Sequence, residues 1–508
     1  MLSRTISEHR RGDCGRPKRR FLTILLAVAA CGAGIFLIPQ AMKRVRDLPM
    51  TDDEVRAAAL ALLPPEEAPL SSLELKKAAF GRHLFSDPGL SGGGQVSCAS
   101  CHKPDQFFSD GHPSPTAKLR RAPENSADSL NTPAIVNGRL LRWAFWDGRS
   151  DSLGAQALSV LEDPQYMASS RVHVVRYVAQ RYRETYEEVF GPFPAVLSPP
   201  DLPMHGLPRP ASSNLTVETA AQALATLHGK GKLLDILIHA QTLRLAPAME
   251  LGRRALERPV PPLTWTTSYD ELDADVQNAL NLVFARVGQA IASYERQLVT
   301  EPSSFDRFAA RLGAGETVEQ ASQEAHWSAS EITGFKLFMG PGGCAGCHSG
   351  PGLSDQRFHN LGLPYRSGPV HLGRAGGVLT ALNDPFNCYS GYFPAETVPT
   401  TDETSRCPML SLLDVNDSAS IGAFKTPSLR NVIATAPYMH DGRFQTLREV
   451  LEFYSSLEGD PAIGTRDPSL EPLRLTGEEM DALESFLRTL SSPVRDRSAS
   501  TEVSVRGG

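Results

Sequence analysis

Cys98-Ala99-Ser100-Cys101-His102 and Cys344-Ala345-Gly346-Cys347-His348 decide how this chain is read. The Cys-x-x-Cys-His motif attaches c-type haem: the two thiols add across the haem vinyl groups and the adjacent histidine ligates the iron. With 8 Cys and 13 His among 508 residues, chance would supply on the order of 0.003 such motifs per chain. The rival reading is a redox or zinc Cys-x-x-Cys pair that happens to precede a histidine, and it would have to arise twice. Two covalent c-type haems are therefore expected, held by Cys98, Cys101, Cys344 and Cys347, with His102 and His348 as iron ligands. The chain is a redox protein.

Each motif follows a predicted helix. Ser71-Ser72-Leu73-Glu74 and Ser328-Ala329-Ser330-Glu331 have capping-box form and open helices that run to about Phe85 and Met339. The helices end alike, in Gly81-Arg82-His83-Leu84-Phe85 and Gly334-Phe335-Lys336-Leu337-Phe338. This weak repeat predicts a mainly α fold with two tandem cytochrome c-like domains, one over 65–300 and one over 301–492. Within the first, an enlarged helical insert is expected at about 195–275. Pro192 to Ala211 reads as loop. Val217 to Leu243, Leu272 to Leu298, Leu447 to Ser456 and Gly477 to Leu490 read as helices from their apolar spacing. His228 and His239 read as surface or core histidines. Residues 39–64 are expected to be a linker, and the polar tail 493–508 to be disordered.

The N-terminus reads as a targeting segment. Residues 1–20 carry Arg4, Arg10, Arg11, Arg16, Lys18, Arg19 and Arg20, and an uncharged, mostly apolar run of 18 residues follows from Phe21 to Ile38. That run is a marginal membrane span. The heavier positive cluster precedes it, so the N-terminus stays cytoplasmic and the rest is exported. The segment is either a cleaved signal or an uncleaved inner-membrane anchor. Val28-Ala29-Ala30-Cys31 also has the form of a lipoprotein cleavage box, although apolar residues continue beyond Cys31. Export to the periplasm agrees with the haem motifs. There Cys388 and Cys407 are expected to form a disulfide. A net charge of −6 gives no reason to expect nucleic acid binding.

Beyond the haem motifs the chain carries Leu84-Phe85-Ser86-Asp87-Pro88, Phe145-Trp146-Asp147-Gly148-Arg149, Phe424-Lys425-Thr426-Pro427-Ser428-Leu429-Arg430-Asn431 and Ala436-Pro437-Tyr438-Met439-His440-Asp441-Gly442. With these it resembles the bacterial di-haem cytochrome c peroxidases, a family that includes the MauG-type enzymes. The resemblance runs from about Leu73 to Leu490. It implies that His102 serves a peroxide-reactive haem and His348 an electron-transfer haem, with Trp146 between them. The substrate it implies is hydrogen peroxide, and the donor a small redox protein or a protein substrate.

The sixth ligand of the second haem separates the branches of that family: methionine in one, tyrosine in the MauG-type enzymes. Here the matching helix is Thr446-Leu447-Arg448-Glu449-Val450-Leu451-Glu452-Phe453-Tyr454, so Tyr454 stands in the ligand position, with Met439 and His440 as rivals. A tyrosinate oxygen favours ferric and higher-valent iron, whereas a thioether favours ferrous iron. By the same resemblance Gln156 matches a distal glutamine, and Tyr166 stands where the family has a catalytic glutamate, with Glu162 and Asp163 as nearby substitutes. The loop that carries a distal histidine in other branches has Pro123 here, and His112 is the nearest alternative. Arg149 and Arg430 are candidate partners of the haem propionates. Asn131, Thr435 and Pro437 stand at the positions of an interdomain calcium ion. The expected function is peroxide reaction at the first haem and oxidation of a donor through the second. The competing function is an electron carrier with both irons six-coordinate.

Overall fold

The computed structural model describes residues 50–113, 115, 130–206, 268–366, 370–393, 407–414 and 417–500. Contacts divide the chain into Met1–Met50 and Thr51–Gly508. The targeting segment, Pro123, His228, His239 and the expected helix Val217 to Leu243 lie outside the described residues. No described helix is long and apolar enough to cross a membrane. The second unit is mainly helical.

Its helices are α1 (Asp52–Ala61), α2 (Ser72–Ser86), α3 (Leu153–Glu162), α4 (Arg171–Arg181), α5 (Arg183–Phe190), α6 (Ala274–Glu295), α7 (Ser304–Gly313), α8 (Val318–Ala325), α9 (Ala329–Met339), α10 (Arg374–Asn383), α11 (Leu447–Ser456) and α12 (Gly477–Thr489). Two small antiparallel ladders join β1 (Leu298–Thr300) to β4 (Val494–Asp496) and β2 (Phe358–His359) to β3 (Phe424–Lys425). The predicted capping boxes of Ser71, Ser328 and Thr446 open α2, α9 and α11. In each, the hydroxyl side chain and the Glu three residues on satisfy two otherwise orphaned N–H groups.

The helix before each haem motif is wedged against a later helix. Gly81 of α2 sits so close to α6 that a Cβ there would lie 1.8 Å from the Ala290 carbonyl oxygen, and a Cβ on Gly334 of α9 would lie 1.9 Å from that of Ala482 in α12. Glycine is required at both crossings because no side chain fits between the backbones. Around the first crossing Phe80, Leu84, Phe85, Leu158 and Phe284 form one core. Around the second, Phe305, Phe335, Phe338 and Phe486 form an aromatic cluster with Trp327.

The correspondence of the halves extends beyond the helices. Thr132-Pro133-Ala134-Ile135-Val136-Asn137 and Thr426-Pro427-Ser428-Leu429-Arg430-Asn431 end on asparagines with φ of 59° and 60°. The Asn137 and Asn431 N–H groups donate to Leu298 O and Leu490 O, and their Oδ1 atoms accept from the N–H groups of Thr300 and Ser492. Phe145-Trp146-Asp147-Gly148-Arg149 likewise corresponds to Met439-His440-Asp441-Gly442-Arg443. Phe145 and Met439 share a left-handed φ, of 64° and 70°. Each loop closes on an isolated bridge, Ala144 to Ser150 and Tyr438 to Phe444. Ser152 then caps α3 as Thr446 caps α11. In this register Gln156 corresponds to Val450, and Val160 to Tyr454.

Two expectations are corrected. The linker 39–64 contains α1, capped by Thr51 and Glu54 and fastened to the second half by Arg56, which donates to Leu312 O and Glu316 O. The tail 493–508 is not wholly disordered, because Val494–Asp496 pairs with β1 and a further turn covers Arg497–Ser500. Its anchor is ionic: Glu67 accepts from Arg495 and Arg497. Both segments tie the two halves together within the unit Thr51–Gly508. Cys388 and Cys407 form the expected disulfide, with Cα atoms 5.7 Å apart.

Candidate active site

Each haem motif ends on a histidine held in the same way. The His102 ring pairs through Nδ1 with Phe108 O at 3.0 Å, and the His348 ring through Nδ1 with Leu353 O at 3.0 Å. A carbonyl accepts only, so Nδ1 carries the proton and Nε2 is left as an iron ligand. Burial pushes both imidazoles below the ordinary histidine value, which keeps them neutral and ligating. None of the four motif cysteines is in a disulfide. Burial pushes Cys98 upward and Cys344 up to about 12, so neither is a reactive thiolate before haem attachment. This donor set fits two covalent haems.

Trp146 lies between the motifs in sequence and bridges the halves in space. Its Nε1 donates to Asn131 O at 2.8 Å, and its own carbonyl accepts from Lys425 N–H of the second half at 2.7 Å. Asn131 N–H in turn donates to His440 O at 2.8 Å. The Asn131 amide faces Pro437 O at 2.5 Å and Met439 O at 3.5 Å, while its Oδ1 is buried with no hydrogen-bond partner. Nitrogen and oxygen of an amide are assigned from such contacts. As placed, Nδ2 and not Oδ1 faces those carbonyls. Thr435 Oγ1 is engaged with Val432 O.

On the face expected to receive peroxide, Gln156 and Val160 lie one turn apart on α3 and share a side of the helix. Tyr166 is half-buried, and its phenol lies close enough to Arg149 to influence that guanidinium. Arg149 pairs with Asp147 at 3.1 Å and stacks 3.5 Å over the Phe145 ring. Glu162 is not a substitute for the missing glutamate: both its oxygens pair with buried Arg171 at 2.9 Å. His112 is exposed.

On the second-haem side, Tyr454 packs with Leu361, Leu363, Met439 and Phe453. Burial and the nearby Cys344 and Cys347 sulfurs push its phenol pKa upward, which places it against the haem motif. Ionisation of that phenol requires a cation, which iron would supply. His440 takes the place that Trp146 holds in the first half and stacks on Phe424, with ring centroids 3.6 Å apart. Burial pushes its imidazole down to about 3.

Arg430 is not a propionate partner. It is buried, and every guanidinium nitrogen is engaged: Nη1 with Asp306 at 3.0 and 3.1 Å, Nε with Pro351 O, and Nη2 with Leu62 O. Sequence reading also missed His359, clamped by Asp355 at 2.8 Å and Asp467 at 2.7 Å behind Cys347. Hydrogen bonds to Asp355, Cys347 and Asp467 hold its pKa up to about 11. Cys347, Asp355 and His359 lie close enough to surround an ion. Cys347 is committed to haem, however, and both carboxylates already bind the ring.

A family profile of di-haem cytochrome c peroxidases matches residues 75–229. Over that stretch the chain is similar to that family. It is 28% identical over 438 residues to a cytochrome-c peroxidase of Denitromonas iodatirespirans, covering 85% of this chain and 86% of that one. It is 27% identical over 483 residues to the methylamine utilization protein MauG of Methylorubrum extorquens, covering 92% and 94%. A cytochrome c551 peroxidase of Nitrosomonas europaea is 23% identical over 441 residues, covering 85% and 83%.

Proposed function

We propose that this protein is a MauG-like di-haem oxidoreductase. It reacts with hydrogen peroxide at the haem held by Cys98, Cys101 and His102, and oxidises a donor or partner protein through the haem held by Cys344, Cys347 and His348. The family it resembles is one of peroxidases, and its relatives carry both peroxidase and MauG names. The observation that carries the MauG-like reading is the pairing of Tyr454 with Val160. Where α11 offers a phenol to the second iron, α3 offers an aliphatic side chain that cannot ligate, so the first iron keeps an open face.

Haem supplies iron that binds peroxide and holds oxidising equivalents; the chain supplies the rest. Gln156 lines the open face with a neutral amide. Tyr166, beside the Arg149 guanidinium, is the hydroxyl available to give a proton to the departing oxygen. Trp146 offers an indole between the two sites, its N–H fixed on Asn131 O.

The halves read as two cytochrome c-like domains about a calcium ion held by Asn131 Oδ1 and the Pro437 carbonyl, with Thr435 contributing main chain. The unsatisfied Asn131 oxygen supports that site. The basic, then apolar N-terminus supports export to the periplasm, with residues 21–38 as a signal or an inner-membrane anchor.

Stopped-flow absorbance of the haem-loaded protein tests the function. One equivalent of hydrogen peroxide should change both haem spectra within one kinetic phase, and the change should reverse on adding a reduced donor. Haem spectra unaffected by peroxide would leave an electron carrier, with Tyr166 in the glutamate's place as the reason.

A further inference from the structure

Two tryptophans stand three residues apart in the loop before α3, and their electrostatic settings are opposite. Trp146 gives its N–H to a carbonyl oxygen, whose negative end stabilises positive charge on the indole. Trp143 is buried and lies under a cation: the Arg374 guanidinium is stacked 4.1 Å from its ring centroid and 4.0 Å from that of Phe358. Arg374 is itself buried and fixed. Its Nη1 donates to Gly148 O at 2.6 Å and Asp147 O at 3.2 Å, and its N–H donates to Ala423 O at 2.7 Å. Gly148 makes room for it, since a Cβ there would lie 2.5 Å from Nη1 and 2.3 Å from Phe358.

We propose that Arg374 keeps Trp143 out of the oxidation path, so that electrons demanded by peroxide are drawn through Trp146. The inference rests on the peroxide reaction proposed above. A guanidinium over an indole face is attractive while the ring is neutral. It becomes repulsive once the ring loses an electron, and in a buried setting that repulsion is weakly screened. The step it opposes is loss of one electron from Trp143, which leaves the indole positively charged; two such one-electron losses, with two protons taken from solvent, reduce one hydrogen peroxide to two waters. Burial lowers the Arg374 pKa to about 10, so the charge persists at neutral pH. Trp143 shares a cluster with the Cys388–Cys407 disulfide, Ala381 and Leu410. A positive hole stranded there would damage the fold rather than reach a donor.

The test is peroxide treatment of the haem-loaded protein without donor, followed by peptide mass spectrometry of Trp143 and Trp146. Arg374→Met should raise Trp143 oxidation about tenfold or more, and Arg374→Lys, which keeps the charge, should stay near the parent level. Trp143 oxidation unchanged in Arg374→Met, with the haem spectra still responding to peroxide, overturns this inference alone. A parent protein whose haem spectra ignore peroxide overturns the peroxidase reading and this inference with it. If Arg374→Met does not fold, Trp143→Phe in the parent background decides. Its peroxide-oxidised state should decay within about twofold of the parent rate, and decay slowed about fivefold or more would place Trp143 in the path and contradict the proposal.

Discussion

The two halves use one frame for two different iron sites. Each has a capped helix wedged by glycine onto a later helix, a Cys-x-x-Cys-His motif with its histidine tied to a carbonyl, a Thr-Pro loop ending on a left-handed asparagine, and a capped helix over the haem face. The differences fall at a few positions within that frame. Val160 answers Tyr454, Trp146 answers His440, and Val136 answers Arg430. On the function proposed here, that one helix position would leave one iron open and close the other, while backbone geometry stays the same.

The correspondence of α3 with α11 predicts the largest effect, for Val160→Tyr. It places a phenol over the first haem as Tyr454 is placed over the second, and should slow the peroxide reaction by about 100-fold or more, read by stopped-flow absorbance. An unchanged rate would mean that the helices do not correspond. The second half carries a buried ion pair where the first has Val136. Asp306→Ala leaves Arg430 buried without its counter-charge and should cost about 3–5 kcal/mol in denaturant unfolding. Gly81→Ala and Gly334→Ala test the shared wedge. Each forces a backbone apart and should cost about 1–3 kcal/mol, by similar amounts if the crossings are equivalent.

A smaller effect concerns His359 beside the second haem motif. The His359 pKa is raised from the ordinary value of 6.5 to about 11 by hydrogen bonds to Asp355, Cys347 and Asp467. A raised value means the folded state holds its proton more tightly. The stabilisation is therefore complete below pH 6.5 and declines as the pH rises through that window toward about 11. Denaturation midpoints should fall across the window in the parent and less steeply in His359→Gln. Least of all, Thr446→Ala removes the cap of α11 and should cost about 1 kcal/mol.

Much of this frame was legible in the sequence because its signals are local. The capping boxes of α2, α9 and α11 lie within four residues, and the haem motifs within five. Tyr454 was legible because helical spacing aligns it with Leu447, Val450 and Leu451 and the family resemblance names the position. The cap of α1 was equally visible, since Thr51-Asp52-Asp53-Glu54 has the same form, yet the Pro-rich stretch after it reads as linker. What could not be read is long-range pairing. Arg430 meets Asp306 from 124 residues away, and a three-residue strand as polar as Val494-Arg495-Asp496 has no signal until its partner is known. The engagement of Glu162 by Arg171 was also hidden, because Arg171 arrives from the next helix.

The function proposed for this protein depends on one haem being open and the other tyrosine-ligated. Electron paramagnetic resonance of the diferric protein, before and after one equivalent of hydrogen peroxide, reads both properties at once. A high-spin signal is expected beside a low-spin one, both lost on adding peroxide, with the low-spin signal altered in Tyr454→Phe. Two low-spin signals indifferent to peroxide and to Tyr454 would contradict that arrangement.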